Sequence, residues 1–396
     1  MAHTKTSYPV QWAAGLLSCL FSGKKITVPE SVVLTSFHGD GYRGNTRIIF
    51  EKLCGHPELK PVWLSRNPKL VRQLKDQFGD NRAFLTHSMS GIRALRGAGA
   101  VFLTHGTSDY PFMRLPRHAL VIQTYHGLPT KRGEYLRPRS DRPPGFLHRL
   151  ILEYRFRPIT HFLSSSPLVS RLFSSRFNIP PEKFLEFGYP AYDSLVHPHR
   201  PARPLARFWP DAPEAQKLIL YAPTFRRRRQ TRLFPFYDLD LEGIARWLEQ
   251  NDALMALRAH PNEGLDVGRY LRIDPRFVSA DQTMAEDAAE LLPFTDVIIS
   301  DYSSIYLEGL LTDTPAVFLP YDLANYERGL PLPYLQIAPG PVISSQKQFL
   351  DALGKAITRT DGFEEERRRV RDLYFSTVDG NATGRVIRFL EEQLLR

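Results

Sequence analysis

A chain of 396 residues is too long for one ordinary core, so two domains of roughly 170–200 residues are expected. An apolar content of 42% excludes a disordered chain, and two cysteines, Cys19 and Cys54, exclude a disulfide framework and lack metal-ligand spacing, which suits a reducing cytosol. The net charge of +10, from 52 basic against 42 acidic residues, favours polyphosphates, nucleotides, anionic lipids or nucleic acid as partners. Nucleic acid is set aside, because no zinc-knuckle, RNP-type or helix-turn-helix pattern is present.

Residues 1–26 hold an apolar stretch, Val10 to Phe21, too short to span a bilayer. Its lysines, Lys24 and Lys25, follow it rather than lead it, unlike a secretory signal. It reads either as a surface or interdomain helix or as a helix lying on a membrane. From residue 27 onward strand-like runs alternate with helix-length segments, the mark of parallel α/β architecture. In residues 27–196 strands are expected at Ser31–Thr35, Pro61–Leu64, Ala100–Thr104, Leu120–Thr124, His161–Ser164 and Phe184–Phe187. Residues 197–213 are rich in Pro and Arg without apolar periodicity and read as a linker. Residues 214–378 repeat the habit at Lys217–Tyr221, Ala253–Leu257, Asp296–Ile299 and Ala316–Leu319. Residues 379–396 carry an unbroken helical pattern, Ala382 to Leu395, suited to packing back on the first domain. Two Rossmann-like domains facing each other across a cleft make a GT-B-like architecture.

In an open α/β sheet ligands bind beyond the carboxyl ends of the strands, so polar clusters at strand exits are where chemistry is sought. After the first strand, Gly39-Asp40-Gly41-Tyr42-Arg43-Gly44-Asn45 is a Gly-rich turn opening a helix. It is neither a Walker loop nor a strict G-x-G-x-x-G, and offers at most an anion or acceptor pocket. After Leu120–Thr124 comes Tyr125-His126-Gly127-Leu128-Pro129. Gly127 lets a substrate approach the backbone, Pro129 stiffens the loop, and Lys131 and Arg132 add positive charge. A general base must lie within hydrogen-bond reach of its hydroxyl, and a rigid, uncrowded loop allows that. The plainer alternative is a turn with an incidental histidine.

Lys131 to Arg157 then mixes eight Lys/Arg with three acids among Tyr135, Phe146, Leu147, Leu150, Ile151, Leu152, Tyr154 and Phe156. A basic segment with apolar anchors suits an anionic membrane surface, although solvated loop and helix faces look the same. Farther on, Tyr221-Ala222-Pro223-Thr224-Phe225-Arg226 ends a strand, with Thr224 and the Arg226 fork able to reach phosphate oxygens. His260 follows the strand Ala253–Leu257, and Pro261 restricts it to an extended backbone. An imidazole there can donate to a phosphate or protonate a leaving oxygen, or be purely structural. Asp301-Tyr302-Ser303-Ser304 precedes an apolar helix-like run, Ile305 to Leu311. A serine there is a good N-cap, and the same N–H groups make an anion site. Capping explains one serine and does not require two with an aspartate and a tyrosine.

In series these words resemble the CDP-glycerol glycerophosphotransferase family of teichoic-acid primases, polymerases and their capsule relatives. The words are Ser36-Phe37-His38-Gly39 with Tyr42 and Asn45, Gln123-Thr124-Tyr125-His126-Gly127, Gly188-Tyr189-Pro190 with Asp193, and Tyr221-Ala222-Pro223-Thr224-Phe225-Arg226. His260-Pro261, Thr295 to Ser304, Pro320-Tyr321-Asp322-Leu323, Ala338-Pro339-Gly340-Pro341 and Asp379-Gly380-Asn381-Ala382 complete them. The resemblance implies a GT-B transferase, peripheral at the cytoplasmic face of the cell membrane. It would move glycerol phosphate, or another polyol phosphate, from a CDP-activated donor such as CDP-glycerol to a hydroxyl of a lipid-linked, soluble or growing cell-surface glycan. A phosphodiester forms and CMP leaves.

Carried over, His126 is the general base on the acceptor, with Gly39, Tyr42, Gly127 and Lys131 on the acceptor side. His260, with Pro261, stabilises the pyrophosphate or assists CMP departure. Ser303 and Ser304 hold donor phosphate, supported by Asp301, Thr224 and Arg226. No metal or other cofactor is expected, since two histidines, an arginine and a helix N-terminus can offset the developing charge. The family has Trp before the base histidine and Thr after the glycine, where this chain has Tyr125 and Leu128. Its Gly-Tyr-Pro-Arg-Asn-Asp word is here Gly188-Tyr189-Pro190-Ala191-Tyr192-Asp193. These departures lie on the acceptor side more than the donor side and point to a different acceptor or polyol. Two rivals stand beside this reading: an inverting glycosyltransferase using a CMP-sugar, and a catalytically idle binder of anionic polymers, against which the presence of both His126 and His260 argues.

Overall fold

The computed structural model describes residues 28–131, 145–196, 205–226, 231–258, 267–281, 284, 288–326 and 329–396. The N-terminal apolar stretch, Arg132 to Pro144, the first half of the expected linker, and both His260 and Pro261 lie outside the described residues. The chain divides into two compact units. One holds the described residues of 28–127, 145–193 and 379–396, the other those of 128–131 and 194–378.

The first unit is a seven-stranded parallel sheet. Its strands are β1 (Val28–Leu34), β2 (Lys60–Ser65), β3 (Ala83–Leu85), β4 (Ala98–Leu103), β5 (Leu120–Gln123), β6 (His161–Leu163) and β7 (Phe184–Leu185), in the order β3-β2-β1-β4-β5-β6-β7. Helices cover a parallel sheet on both faces, so its inner strands are apolar throughout rather than alternating. Val32, Val33 and Leu34 of β1 and all of β4 are buried accordingly. The second unit has a five-stranded parallel sheet, β8 (Lys217–Tyr221), β9 (Ala253–Leu257), β10 (Phe277–Ser279), β11 (Val297–Ser300) and β12 (Ala316–Phe318), in the order β10-β9-β8-β11-β12. Its core packs Tyr221, Phe234, Tyr270, Phe277 and Phe349 with the aliphatic residues of β8, β9 and β11.

All ten strands expected from the sequence are present, with ends shifted by at most three residues. β3 and β10 were not expected. Each is a three-residue strand at a sheet edge, too short to show a period. Residues 205–213, expected as linker, belong to the second unit instead. Leu205 and Trp209 are buried there, and Trp209 Nε1 donates to the Ser279 carbonyl at 2.6 Å. A single aromatic anchor has no periodicity to read.

The C-terminal helix, Ala382–Leu394, belongs to the first unit. Asp193 fastens it, accepting from the Ala382 and Thr383 N–H groups at 2.8 Å each and from the Thr383 hydroxyl at 2.6 Å. Two of the family-like words therefore meet as a clasp, a structural use of both.

In each sheet the strand order reverses once, between β1 and β4 and between β8 and β11. Neighbouring strands there send their chains away in opposite directions, which opens a crevice beyond their carboxyl ends. The polar words singled out in the sequence follow β1, β5, β8 and β11, at or beside these two points.

Candidate active site

At the first reversal the chain leaves β1 into Ser36-Phe37-His38-Gly39, β4 into Thr104-His105, and the adjacent β5 into Tyr125-His126. The backbone is strained here. Phe37, His38 and Tyr125 have φ of 47°, 61° and 58°, in the left-handed region that side-chain-bearing residues avoid. Each such residue costs about 1–3 kcal/mol and persists only where its surroundings fix it. Gly39, at φ 81°, is required as glycine, because an added Cβ would meet the Asp109 carbonyl oxygen at 2.9 Å.

What fixes this backbone is Asp109, which is fully buried. Its Oδ1 accepts from the His38 N–H at 2.8 Å, and its Oδ2 from the N–H groups of Thr104 at 2.5 Å and His105 at 2.8 Å. The Thr104 hydroxyl also reaches Oδ2 at 3.1 Å. One carboxylate thus ties the β1 exit to the β4 exit. Burial pushes the Asp109 carboxyl upward, and these bonds oppose it.

Three imidazoles form a column. The His38 and His105 ring centroids are 4.1 Å apart, and those of His105 and His126 are 3.9 Å apart and parallel to 3°. Tyr125 also stacks on His126 at 4.1 Å. His126 Nδ1 lies 3.2 Å from the Thr104 carbonyl oxygen. A carbonyl only accepts, so Nδ1 carries the proton and Nε2 keeps a lone pair. His126 is exposed overall although its ring is packed against neighbours. Desolvation, joined by the charges of Arg176 and Arg155, pushes its pKa down to about 4, against the Thr104 bond that raises it. Burial also pushes His105 down to about 2 and lowers His38. All three rings are therefore neutral at pH 7. A neutral imidazole with a fixed tautomer and an open Nε2 can take a proton from a hydroxyl.

Among the described residues, His38, His105 and Asp109 place ligand-type atoms within 4.8 Å of one another. That proximity comes from hydrogen bonding. Both Asp109 oxygens are saturated by donors, His38 Nδ1 faces the Ser108 hydroxyl at 3.2 Å, and His105 Nδ1 faces the Thr104 hydroxyl at 2.9 Å.

At the second reversal, β8 runs out into Ala222-Pro223-Thr224 and β11 into Asp301-Tyr302-Ser303-Ser304. The two exits are laced together. Asp301 Oδ1 accepts from the N–H groups of Thr224 at 2.8 Å and Tyr302 at 2.5 Å, and the Ser300 hydroxyl donates to the Ala222 carbonyl at 3.0 Å. Arg226 sits inside this lacing. It pairs with Asp301 at 2.8 Å and grips Asp322 through Nε at 2.9 Å and Nη2 at 2.8 Å, with Tyr302, Tyr321 and Tyr326 around it. Burial works against its charge, but Asp322 and Asp301 more than offset that and hold its proton above the ordinary value. The fork expected to meet phosphate is therefore engaged by two carboxylates.

Ser303 and Ser304 are half-buried at the start of the helix Ile305–Gly309. Ser304 occupies the N-cap position with helical backbone angles, and its side chain makes no capping bond, contrary to the N-cap geometry expected. The Thr224 hydroxyl is buried beside the same turn with no hydrogen-bond partner. Three hydroxyls thus stand at the β8 and β11 exits without a structural use.

Tyr42 is turned inward, donating to Glu51 at 3.0 Å and packing edge-on against Trp63. Lys131 is half-buried at the end of the described segment. The residues missed in the sequence are His105 and Asp109. Thr104-His105-Gly106 stands at the β4 exit just as Tyr125-His126-Gly127 stands at that of β5, and that parallel was the available signal.

Two parallel α/β units, each with polar groups gathered at its strand-order reversal, have the fold class of GT-B-like enzymes. Residues 19–392 match the family described as CDP-Glycerol:Poly(glycerophosphate) glycerophosphotransferase, and the chain belongs to that family. A teichoic acid glycerol-phosphate transferase of Staphylococcus aureus (strain NCTC 8325 / PS 47) is 27% identical, over 91% of this chain and 93% of its own. A teichoic acid ribitol-phosphate primase of Bacillus spizizenii (strain ATCC 23059 / NRRL B-14472 / W23) is 24% identical, over 92% of each. A teichoic acid poly(glycerol phosphate) polymerase of Staphylococcus epidermidis (strain ATCC 35984 / DSM 28319 / BCRC 17069 / CCUG 31568 / BM 3577 / RP62A) is 24% identical over 91% of this chain, which spans only half of that protein. Among solved structures, the wall teichoic acid polymerase TagF shares the fold with a TM-score of 0.79 over 97% of this chain and 94% of its own, at 22% identity.

Proposed function

We propose that the protein transfers glycerol phosphate, or a related polyol phosphate, from a CDP-activated donor to a hydroxyl of a lipid-linked or growing cell-surface glycan. The observation that carries this reading is His126, with its Nδ1 proton held by the Thr104 carbonyl and its Nε2 lone pair free. Family membership supplies the donor class, and TagF has been solved after a CDPG soak. In the proposed step the acceptor oxygen attacks the phosphorus bearing glycerol, and its proton passes to His126 Nε2. The bond from that phosphorus to the bridging oxygen breaks, and CMP leaves with the electron pair.

Ser303, Ser304 and the Thr224 hydroxyl donate to donor phosphate, while Asp301 and Arg226 hold the turn that carries them. His260 is assigned to the leaving group on the family resemblance. No resident metal takes part in this reading, because fixed donors suited to the developing charge need no further cation.

The enzyme works at an anionic membrane surface. Among the described residues no helix is long and apolar enough to cross a membrane. The helix Phe146–Phe156 nevertheless turns Phe146, Leu147, Leu150, Ile151 and Tyr154 to solvent on one face, with Phe146 and Tyr154 77% and 76% exposed, while Leu152 and Phe156 pack inward. An apolar face beside Arg149 and Arg157 suits insertion among anionic headgroups.

The test is CMP release and phosphodiester formation from CDP-glycerol with a panel of glycan acceptors, for the intact enzyme, His126→Ala and His260→Ala, with and without EDTA. Phosphate-bearing product lost in both variants and insensitive to EDTA is the expected result. A glycosidic product formed only from CMP-sugars makes it a glycosyltransferase. Absence of turnover with any donor, together with tight binding of an anionic polymer, makes it a binder.

A further inference from the structure

Proton transfer needs one imidazole, yet His126 lies flush on a second that touches a third. His105, the middle ring, is firmly held. Its N–H donates to Asp109, its Nδ1 faces the Thr104 hydroxyl, and its carbonyl accepts from Arg155 Nε at 2.9 Å. The residue before it supplies the carbonyl that binds His126 Nδ1, and the Gln123 amide pins that same carbonyl at 2.8 Å. Thr104 and His105 therefore grip one imidazole in two ways, by its edge and by its face. A ring held by one hydrogen bond alone still pivots about it, whereas a flat partner at 3.9 Å stops the pivot.

We propose that His105 is a positioning residue for the acceptor-side base, its ring forming the platform that fixes the plane of His126 and aims Nε2 at the hydroxyl to be deprotonated. This rests on the reading of His126 as the base. A misplacement of about 1 Å at a reacting atom costs on the order of 100-fold in rate, so a platform that prevents it acts on the chemical step and not on acceptor binding.

The platform also has a signature in pH. The groups facing His126 are His105 and His38 from the β4 and β1 exits, Arg176 of the helix Pro167–Phe177, and Arg155 of the helix Phe146–Phe156, with the Asp109 carboxylate bonded behind His105. The charges of Arg176, Arg155 and His38 oppose an imidazolium there, and the Thr104 carbonyl bonded to Nδ1 favours one. Taking away the His105 ring admits water to one face of His126 and eases its protonation.

The experiment measures single-turnover transfer from CDP-glycerol to an acceptor that the wild-type enzyme uses, between pH 4.5 and 8.5. His105→Ala is expected to lower the rate roughly 10–100-fold with acceptor KM changed less than about twofold. The acid limb of its profile should move up by about one pH unit. His105→Phe, which restores a flat ring, should recover to within about fivefold of wild type.

A wild-type rate and profile in His105→Ala overturns the proposal, as does a loss confined to KM. So does a His105→Phe rate as low as that of His105→Ala when both melt at the wild-type temperature. If His105→Ala unfolds early, His105→Phe and His105→Gln decide between themselves: a rate kept by Phe and lost by Gln supports the platform, and equal rates overturn it. His126→Ala is run alongside. Full activity there overturns the base reading itself, whatever the His105 variants do.

Discussion

Replacing Arg226 by methionine separates a clamp from a phosphate contact. The Arg226 side chain is 3% exposed, paired with an Asp301 that is 2% exposed and an Asp322 that is 12% exposed. Removing the cation leaves two carboxylates in a site walled by tyrosine rings. Deleting one partner of a buried pair costs about 3–5 kcal/mol. At roughly 2–4 °C per kcal/mol for a domain of about 150–250 residues, the Tm of the second unit should fall by roughly 6–20 °C. A guanidinium whose task was to bind phosphate would cost donor affinity and leave the melt almost unmoved. Differential scanning calorimetry of wild type, Arg226→Met and Arg226→Met/Asp322→Asn, with CDP-glycerol titrated well below the transition, distinguishes the two. The double variant should recover part of the loss, since one orphaned charge is gone. A Tm change under about 2 °C with donor affinity down tenfold or more would refute the clamp and assign Arg226 to the phosphate.

Ser304→Ala should change stability by less than about 0.5 kcal/mol, because the hydroxyl makes no capping bond whose loss ordinarily costs about 1 kcal/mol, while the CDP-glycerol KM rises severalfold. Steady-state kinetics beside a urea melt reads both, and an unchanged KM removes Ser304 from the donor site. Leu147→Ser with Ile151→Ser should weaken co-sedimentation with phosphatidylglycerol vesicles at an unchanged Tm, since both side chains are exposed; undiminished sedimentation defeats the membrane assignment. For Asp322, burial raises the carboxyl but the Arg226 bonds more than offset it and hold the folded pKa below the ordinary 3.8. A carboxyl depressed in the folded state contributes stability above its unfolded pKa, and that contribution fades as pH drops through the folded value. Thermal melts from pH 6 to 2.5 should therefore show an acid loss below about pH 4 that is smaller in Asp322→Asn.

The sequence made the inner strands legible because a parallel sheet buries both faces of its centre, and runs such as Val32-Val33-Leu34 or Ile298-Ile299 cannot be anything exposed. It also made the strand exits legible, since polar words interrupt those runs abruptly. Pairing across strands was not legible. His105 comes beneath His126 only because β4 and β5 pair with Leu103 opposite Gln123, and no spacing within either strand encodes that register. The carboxylate partner of Arg226 is hidden for the same reason, Asp322 lying 96 positions away along the chain. Tyr42 looked like a pocket residue in a Gly-rich turn until Glu51, two helical turns on, took up its hydroxyl.

The two reversal points differ electrically in the way their assigned tasks demand. A base must be uncharged before it reacts, and at the first point burial and neighbouring guanidiniums keep His126 so. An anion site must not present bare carboxylates, because two like charges at about 4 Å repel by several kcal/mol even at a surface-like dielectric. At the second point Asp301 and Asp322 are needed to hold the turn by their bonds to Thr224 N–H and Arg226, and would be hostile to phosphate on their own. Arg226 lying between them eases that conflict: the same guanidinium that closes the turn offsets one of the two carboxylate charges that shape it. The hydroxyls of Ser303, Ser304 and Thr224 are then left as the polar groups a phosphate would meet, which is why the clamp and the donor site have to be tested by different readouts.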